Sequence, residues 1–389
     1  MTKHYKYGSS TAERTVGCPA WANLAKLLPP PSSSEYADKG TLLHRCMEEI
    51  VMNAADDNRP FTDGIHEYLG DAYNDQVITQ EDIDFKLIPA CNALQEVIDK
   101  YGVTEYEPEL TLEHSELVGG TGDLICKAPK TAVVIDYKFG DGVQVYPEDN
   151  GQCMFIAALA AYDRRVADMF THVTKIVCVI IQPNNREDET LRIWETTPQT
   201  VRLWFEAFKQ AVEKAEAGAM EPNAGKWCKF CPAMATCPAK TGLAEQMKKM
   251  DVNSLQHEQV SEALLLAEAI EDWIKSVRTF AHEQMELGVK FPGFKLVATR
   301  AMRKWNDEAE ILDKIKKAKK LKIDECTKTT VFSPAQLEKY CKANDIDFAP
   351  YEALYSKVSG GTTIAHEDDK RPELVPAAAI KAIADAVNK

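Results

Sequence analysis

Two short apolar runs with acidic residues beside their ends constrain the fold of this chain more than any other feature. The runs are rich in β-branched residues and cover Leu117–Cys126 and Thr131–Lys138. The first contains Gly119-Gly-Thr-Gly-Asp123, and the second ends in Asp136-Tyr137-Lys138, thirteen residues after Asp123. Period, length and spacing predict two adjacent strands at hairpin distance.

Two carboxylates and a lysine at the ends of such strands suit metal-dependent cleavage of phosphodiesters. The carboxylates can hold a divalent cation, and the lysine can orient a water molecule or neutralise charge on phosphate. An Asp-X-Lys sequence is common by itself. The upstream Asp123, the buried-looking strand and the following helix with Gln152 give it weight here.

The order of the predicted elements in the first 218 residues indicates an α/β fold. Helices are predicted at about 9–28, 39–55, 81–101, 147–164 and 198–218, and strands at 105–112, 117–126, 131–138, 173–181 and 189–195. This order predicts a mixed β-sheet flanked by helices on both faces. Later in the chain, the patterns predict a helix at 255–288, a strand at 291–299, a lysine-rich helix at 306–322 and loose order at 359–376.

Composition is that of a globular protein with room for two domains. The chain has 389 residues, of which 45% are hydrophobic and 27% charged. No run approaches the ~18 apolar residues of a membrane helix, and the first residues lack the apolar core of a secretory signal. We therefore expect a cytoplasmic protein without a membrane partner. The net charge of −14 argues against extensive wrapping of duplex nucleic acid, but not against a strand held in a cleft.

Three of the eleven cysteines form a cluster with the spacing Cys228-X2-Cys231-X5-Cys237. Three thiolates leave a tetrahedral or cubane site one ligand short. Cys18 has the same Cys-Pro form as Cys231 and Cys237 and is a candidate fourth ligand. An iron–sulfur cluster, a zinc ion and packed cysteines without metal all remain open, because soft thiolates suit both metals.

His44 and Glu48 lie one helical turn apart, on one face of a predicted helix. Alone, His44 reads as a half-buried core histidine. Beside Asp123 and Asp136 it becomes a candidate metal ligand, whereas Glu48 reads as a solvated helix residue. Glu109, on the strand before Asp123, faces either the same cleft or solvent.

Further candidates would contact a nucleic acid rather than a metal. Gln152 and Tyr162 could touch a phosphate or a base, or be ordinary helix residues. Arg303, Lys304 and Trp305 combine positive charge with an aromatic ring, a combination that supports single-strand binding. The lysine-rich helix after them is typical of a solvated face.

Taken together, these residues resemble a known family. His44, Asp123, Asp136-Tyr137-Lys138 and Gln152, bracketed by Cys18 and the later cysteine cluster, look like the RecB-type branch of the PD-(D/E)XK nucleases. Within that branch, the chain is most similar to the CRISPR-associated RecB-like exonucleases and the AddB nuclease domain. The segments Ser9–Pro19, Gly40–His44 and Pro292–Val297, with Arg303-Lys304-Trp305, look like a phage and prophage subgroup. The resemblance covers about residues 8–240 well and 250–310 loosely.

The resemblance implies a restriction-endonuclease-like core and specific residue roles. His44, Asp123, Asp136 and the Tyr137 carbonyl would bind Mg²⁺ or Mn²⁺, Lys138 would be the catalytic lysine, and Gln152 would match the family's helix glutamine. A 4Fe–4S cluster would be held by Cys18, Cys228, Cys231 and Cys237. Two positions depart from the family pattern. Asp136 stands where glutamate is common, and Ile156 replaces an expected tyrosine, for which Tyr162 is the substitute.

The implied function is a metal-dependent DNA exonuclease that acts on single-stranded or frayed ends in phage replication or recombination. The implied organisation is a RecB-like nuclease domain over 1–245 and an extension over 246–389, mainly helical with one or two strands, that binds DNA or a partner. The alternative is a non-catalytic subunit with a nuclease fold, which binds DNA or a helicase or recombinase partner. The intact set of Asp123, Asp136 and Lys138 argues against that alternative.

Overall fold

The structure is a computed structural model, which describes residues 5–26, 28, 35–57, 59–140, 144–183, 190–242, 257–299, 302–318, 320–322, 326, 334, 337–338, 341, 346–358, 362–366 and 373–374. The chain forms two compact units, Met1–Trp273 and Ile274–Lys389. The predicted domain boundary at 245/246 lies outside the described residues and stays a prediction.

Nine α-helices and eleven strands are formed by the described residues. The helices are α1 Ala12–Gly17, α2 Trp21–Ala25, α3 Glu35–Asp57, α4 Gln80–Asp82, α5 Ile88–Tyr101, α6 Gly151–Ala160, α7 Pro198–Glu216, α8 His257–Glu286 and α9 Glu308–Lys317. The strands are β1 Ala72–Tyr73, β2 Gln76–Val77, β3 Glu105–Glu113, β4 Gly119–Ala128, β5 Thr131–Tyr137, β6 Lys175–Ile181, β7 Leu191–Thr196, β8 Phe294–Ala298, β9 Met302–Trp305, β10 Tyr355–Val358 and β11 Thr362–His366. Short 3₁₀ turns cover Ser9–Thr11, Ile65–Tyr68, Ala167–Phe170, Lys226–Cys228, Met234–Thr236 and Ala349–Leu354, and a π-helical turn covers Ile83–Leu87.

A five-stranded sheet forms the centre of the first unit. Its strand order is β3-β4-β5-β6-β7, with β5 and β6 parallel and the other neighbours antiparallel. One face packs against α1, α2, α6 and α7, and the other against α3 and α5. The predicted mixed sheet with helices on both faces is confirmed.

Burial explains why these segments form these elements. Every residue of β5 is buried, as expected for a strand covered on both faces. Nine of the ten residues of α6 are buried as well, so this helix is apolar all round and lies inside the unit. Asn150 begins it, because its side chain accepts from the amides of Gln152 and Cys153.

The predicted helix 9–28 is wrong as one continuous element. The backbone leaves the helical region at Cys18, with φ −148° and ψ 83°, and the chain divides into α1 and α2. The cause is Pro19, because a proline disfavours helical geometry at the residue before it. The break places Cys18 at the end of α1.

The second unit contains more strand than the sequence suggested. In its described part, β8 pairs with β11, and β9 pairs with β10. The segment predicted to be loosely ordered at 359–376 includes β11, which gains order from its pairing with β8. Trp305, Ile311, Ile315, Tyr351 and Leu354 are buried in this unit's core.

None of the described helices combines the length and the apolar character that crossing a membrane would require.

Candidate active site and cysteine pocket

The pairing between β4 and β5 ends where the acidic residues begin. Away from the turn, the last paired residues are Leu124 and Ile135. The next residue in that direction is Asp123 on β4 and Asp136 on β5. The β3–β4 pairing is also interrupted here, because Glu109 has φ +37° and is the unpaired residue opposite Asp123. The sheet therefore opens at the position of the two carboxylates.

Asp123 is held in place from two sides. Its Oδ2 accepts from the backbone amide of Tyr137 at 2.8 Å, which substitutes for a ladder bond. The same oxygen lies 3.4 Å from Nδ1 of His44 on α3. The predicted neighbourhood of His44 and Asp123 is thus present in the structure.

Lys138 joins the second carboxylate to α6. Its Nζ lies 2.7 Å from Oδ2 of Asp136 and donates to Oε1 of Gln152 at 3.0 Å. Its backbone amide donates to the carbonyl of Ile181, so the position of Lys138 is fixed by the parallel neighbour β6. The helix cap at Asn150 places Gln152 on the first turn, facing Lys138.

Opposed effects of burial and charge set the pKa values in this cluster. Burial raises the pKa of Asp136, and the positive charge of Lys138 only partly opposes it. For Asp123, burial acts upward too, but His44, Lys138 and the Tyr137 amide outweigh it and lower its pKa. Burial lowers the pKa of His44 and of Lys138, but the carboxylates outweigh burial and raise both. The site thus places two carboxylates beside the imidazole of His44 and the ammonium of Lys138.

The donor set fits a divalent cation. Oδ2 of Asp136 is buried and receives no hydrogen bond of good geometry, although Nζ of Lys138 lies 2.7 Å away. Buried charges in proteins are paired or coordinate metals, so this oxygen can also act as a metal ligand. As the side chains of the described residues stand, no three His, Cys, Asp or Glu groups form a complete metal-binding set. Two carboxylates suit Mg²⁺ or Mn²⁺, and the imidazole of His44 lies beside them as a further candidate ligand.

A small cavity lies beside His44 and Asp123, and a pair of glutamates lines it. Its wall includes His44, Glu48, Glu109, Asp123 and Tyr137. Glu48, expected to be a solvated helix residue, is half-buried and also contacts Glu109. Its hydrogen bond with Glu109, together with burial, raises the pKa of Glu48 to about 7. The left-handed backbone at Glu109, which no periodicity reveals, turns this side chain towards α3.

Sequence patterns also missed Lys86. It is buried on the π-helical turn, and its Nζ donates to the carbonyl of Phe139 at 3.1 Å. Phe139 follows Lys138 and packs edge-on against His44. Lys86 therefore anchors the segment just beyond the catalytic candidates. A lysine inside an apolar helical stretch was the only available signal.

The predicted DNA-contacting residues differ in availability. Tyr162 follows α6 and is 69% exposed. Trp305 is 6% exposed inside the core of the second unit, where it packs against Tyr355, so it does not present a ring for base stacking. Arg303 pairs with Glu338 and stacks over Tyr355. The backbone of Lys304 pairs with Ser356.

The four predicted cysteine ligands line one cavity at the end of α1. Cys18, Cys228, Cys231 and Cys237 contribute to its wall, with Arg14 and other residues. All eleven cysteines lie in the described part of the chain, and none forms a disulfide. Backbone amides donate to Sγ of Cys18 and of Cys228, each at 3.4 Å. Burial raises the pKa of Cys231, against the opposing charge of Arg14.

Comparison with known proteins identifies the family. A profile described as a protein of unknown function, DUF2800, matches residues 4–372. The chain belongs to the DUF2800 family. This match extends across both units, so the second unit is part of the family's sequence and not an unrelated appendage.

Solved structures similar to this DUF2800 chain include two proteins described as exonucleases. A protein from Eubacterium rectale, assigned as an exonuclease, has 12% sequence identity and a TM-score of 0.31 over 58% of this chain and 86% of its own. An alkaline exonuclease from Laribacter hongkongensis has 10% identity and a TM-score of 0.24 over 54% of this chain and 92% of its own. These likenesses are weak, so the function is argued from the site itself.

Proposed function

We propose that this protein is a metal-dependent deoxyribonuclease, and more specifically an exonuclease that hydrolyses phosphodiester bonds at DNA ends. The observation that carries the proposal is the convergence of His44, Asp123, Asp136, Lys138 and Gln152 at the point where β4 and β5 separate. Carboxylates, an imidazole and a lysine at one edge supply what phosphodiester hydrolysis needs. Replication or recombination of phage DNA is the proposed setting.

Each residue has a distinct task in this proposal. His44, Asp123 and Asp136 would hold Mg²⁺ or Mn²⁺, which when bound supplies Lewis acidity and neutralises charge on the phosphate. Asp123 keeps its orientation through the Tyr137 amide. Lys138 places a positive charge at the open edge of the sheet, where it stabilises negative charge on the reacting phosphate. Gln152 fixes the Lys138 ammonium by accepting its hydrogen bond.

Cleavage of end-labelled linear DNA with Mg²⁺ or Mn²⁺ tests the proposal. The wild-type protein should degrade the substrate, and Asp136→Asn should slow cleavage by about 100-fold or more. Asp168→Asn is the control, because Asp168 is an exposed carboxyl that pairs with Lys127. The nuclease proposal fails if the wild type cleaves with neither ion. The assigned site is wrong if Asp136→Asn cleaves as fast as the wild type.

We also propose that the cysteine pocket holds a structural 4Fe–4S cluster. Four thiols around one cavity supply its ligands, and amide hydrogen bonds to sulfur are the usual surroundings of such clusters. The cluster would join α1 to the segment 226–237 and so close the first unit.

Metal analysis after anaerobic purification tests the cluster. We expect about four iron atoms per chain with matching sulfide, and loss of both in Cys18→Ser. Cys126→Ala is the control, because Cys126 is buried in the sheet. Stoichiometric zinc without iron would establish the zinc alternative instead.

A further inference from the structure

Among the described residues, the most exposed aromatic side chain lies on the cysteine segment, residues 226–237, which carries three of the pocket's cysteines. Phe230 is 74% exposed, more than the other large apolar side chains of the described chain. It stands between Cys228 and Cys231, so both ends of its short loop belong to the pocket wall. Neither the catalytic cluster nor the pocket uses its ring.

Hydrogen bonds fix the backbone that carries this ring. Phe230 has φ +64°, a left-handed conformation that favours glycine over a bulky residue. The guanidinium of Arg14 donates to the carbonyl of Phe230 at 2.8 Å and to that of Trp227 at 3.4 Å. The amide of Cys231 donates to the carbonyl of Cys228. A strained phenylalanine in a fixed loop is a feature that functional surfaces retain.

Positive charge flanks the exposed ring. Lys229 and Lys226 are both exposed, and Lys226 pairs with Glu13 at 2.7 Å. An aromatic face beside an ammonium group is the combination that binds a single strand, because the ring stacks on a base and the charge contacts phosphate.

The loop around Phe230 also lies close to α6, the helix of the first unit that carries Gln152. Helix α1 packs against both α6 and the turn Lys226–Cys228. At Gly151, a Cβ would lie 2.7 Å from Cβ of Glu13, so the two backbones touch next to Gln152. Glu13 in turn pairs with Lys226. One short helix thus separates the Phe230 loop from the residue that orients Lys138.

We propose that Phe230, with Lys229, forms a stacking site for a single DNA strand that leads to the catalytic edge of the sheet. The inference rests on the proposed nuclease function and adds the surface by which the substrate is held. The ring stacks on a base and tolerates any sequence, since every base presents a π-face.

Binding of fluorescent oligonucleotides by the full-length protein, without divalent cation, tests the site. The probes are a single-stranded oligothymidylate and an abasic strand of the same length, which keeps the phosphates but lacks bases. Phe230→Gly removes the ring at a position whose backbone favours glycine, so we expect it to fold as well as the wild type. Its affinity for oligothymidylate should fall about 5- to 100-fold, with little change for the abasic strand.

Matched variants separate the outcomes. Phe230→Trp should retain binding, and Phe85→Gly, which removes another exposed phenylalanine of the same unit, should leave binding unchanged. Equal affinity of Phe230→Gly and wild type for oligothymidylate overturns the stacking site, and the nuclease proposal stands if the wild type still cleaves DNA. A wild type that neither binds nor cleaves DNA overturns both. An equal loss on both probes shows a charge or folding effect and also overturns stacking.

Discussion

At the scale of single residues, Lys138 is the side chain on which the site depends most. Its ammonium balances Asp136 and reaches Gln152 across the gap between β5 and α6. Removing it would leave the buried carboxyl of Asp136 without its nearest counter-charge. In the proposed mechanism, the reacting phosphate would also lose an electrostatic partner.

Lys138→Met should reduce single-turnover cleavage by about 100-fold or more, because the charge that stabilises the reacting phosphate is lost. Manganese binding, measured by calorimetry, should persist, since the proposed ligands His44, Asp123 and Asp136 remain. Lys127→Met is the matched control on β4, where Lys127 forms exposed ion pairs with Glu105 and Asp168. Unchanged cleavage by Lys138→Met would remove this lysine from the mechanism.

Glu48 makes stability depend on pH. Its hydrogen bond with Glu109 raises its pKa from 4.5 to about 7, so the folded state holds a proton more tightly than the unfolded state. This contribution to stability is complete below pH 4.5 and is lost as the pH rises through 7.

Glu48→Gln should therefore gain stability relative to the wild type as the pH rises. We expect the variant and the wild type to have similar free energies of unfolding at pH 4. At pH 8 the free energy of unfolding of the variant should be higher by about 1 kcal/mol, after allowance for solvent screening. Thermal unfolding in the presence of EDTA checks this. Glu49→Gln is the control, because it alters an exposed carboxyl that pairs with Arg45. Its stability relative to the wild type should not rise between pH 4 and pH 8. A constant difference for Glu48→Gln at all pH values would contradict the shared proton.

At the scale of elements, the end of α1 and the cysteine segment fit together through a glycine. A Cβ at Gly17 would lie 2.2 Å from Cδ2 of Trp227, whereas a Cβ at Gly40 in α3 would meet nothing within 4 Å. The ring of Trp227 therefore occupies the space where other residues carry a side chain, directly beside Cys18 and Cys228.

Gly17→Ala should displace Trp227 and destabilise the first unit by about 1–3 kcal/mol. Iron retention on dialysis should fall in parallel, because the displaced ring adjoins Cys228. Gly40→Ala is the control and should stabilise by roughly 0.5–1 kcal/mol, the helix preference of alanine over glycine. Chemical unfolding and iron analysis of the three proteins measure both effects. A stable, iron-replete Gly17→Ala protein would show that this packing is not required.

The positions of helices and strands were predictable from the sequence where a single hydrophobic periodicity ran through a segment. The β-branched runs predicted β4 and β5 to within two residues, and Asp123 and Asp136 lie where the pairing of these two strands ends. The division of α1 from α2 follows from Pro19, a sequence signal that the prediction of one continuous helix overlooked. The left-handed backbone at Glu109 was not predictable, because nothing in the strand's alternating pattern marks it. The Glu48–Glu109 contact joins a helix to an irregular strand, so neither periodicity signals it.

At the scale of the whole molecule, the net negative charge and the few charged groups near a bound strand act over different distances. The chain carries 60 acidic and 46 basic residues. Mobile salt screens distant charges over ~8–10 Å, so a strand in a narrow groove responds mainly to the nearest groups. In the proposed function, Lys138, Lys229 and the Phe230 ring would hold a few nucleotides, while the net charge of −14 would disfavour binding of a long duplex.

A preference for free ends follows from this distribution. The protein should degrade linear single strands and frayed duplex ends faster than it nicks covalently closed plasmid, because closed duplex needs a broad basic surface that a net charge of −14 disfavours. Equal nucleotide concentrations of both substrates, with Mn²⁺, make the comparison. Single-strand affinity should fall with salt on a shallow slope, about −2 in log–log form for roughly three neutralised phosphates. Rapid linearisation of the closed plasmid, with the linear strands left intact, would show an endonuclease and contradict the end preference. A steep salt slope would instead indicate an extended basic groove that neither Lys138 nor the Phe230 loop provides.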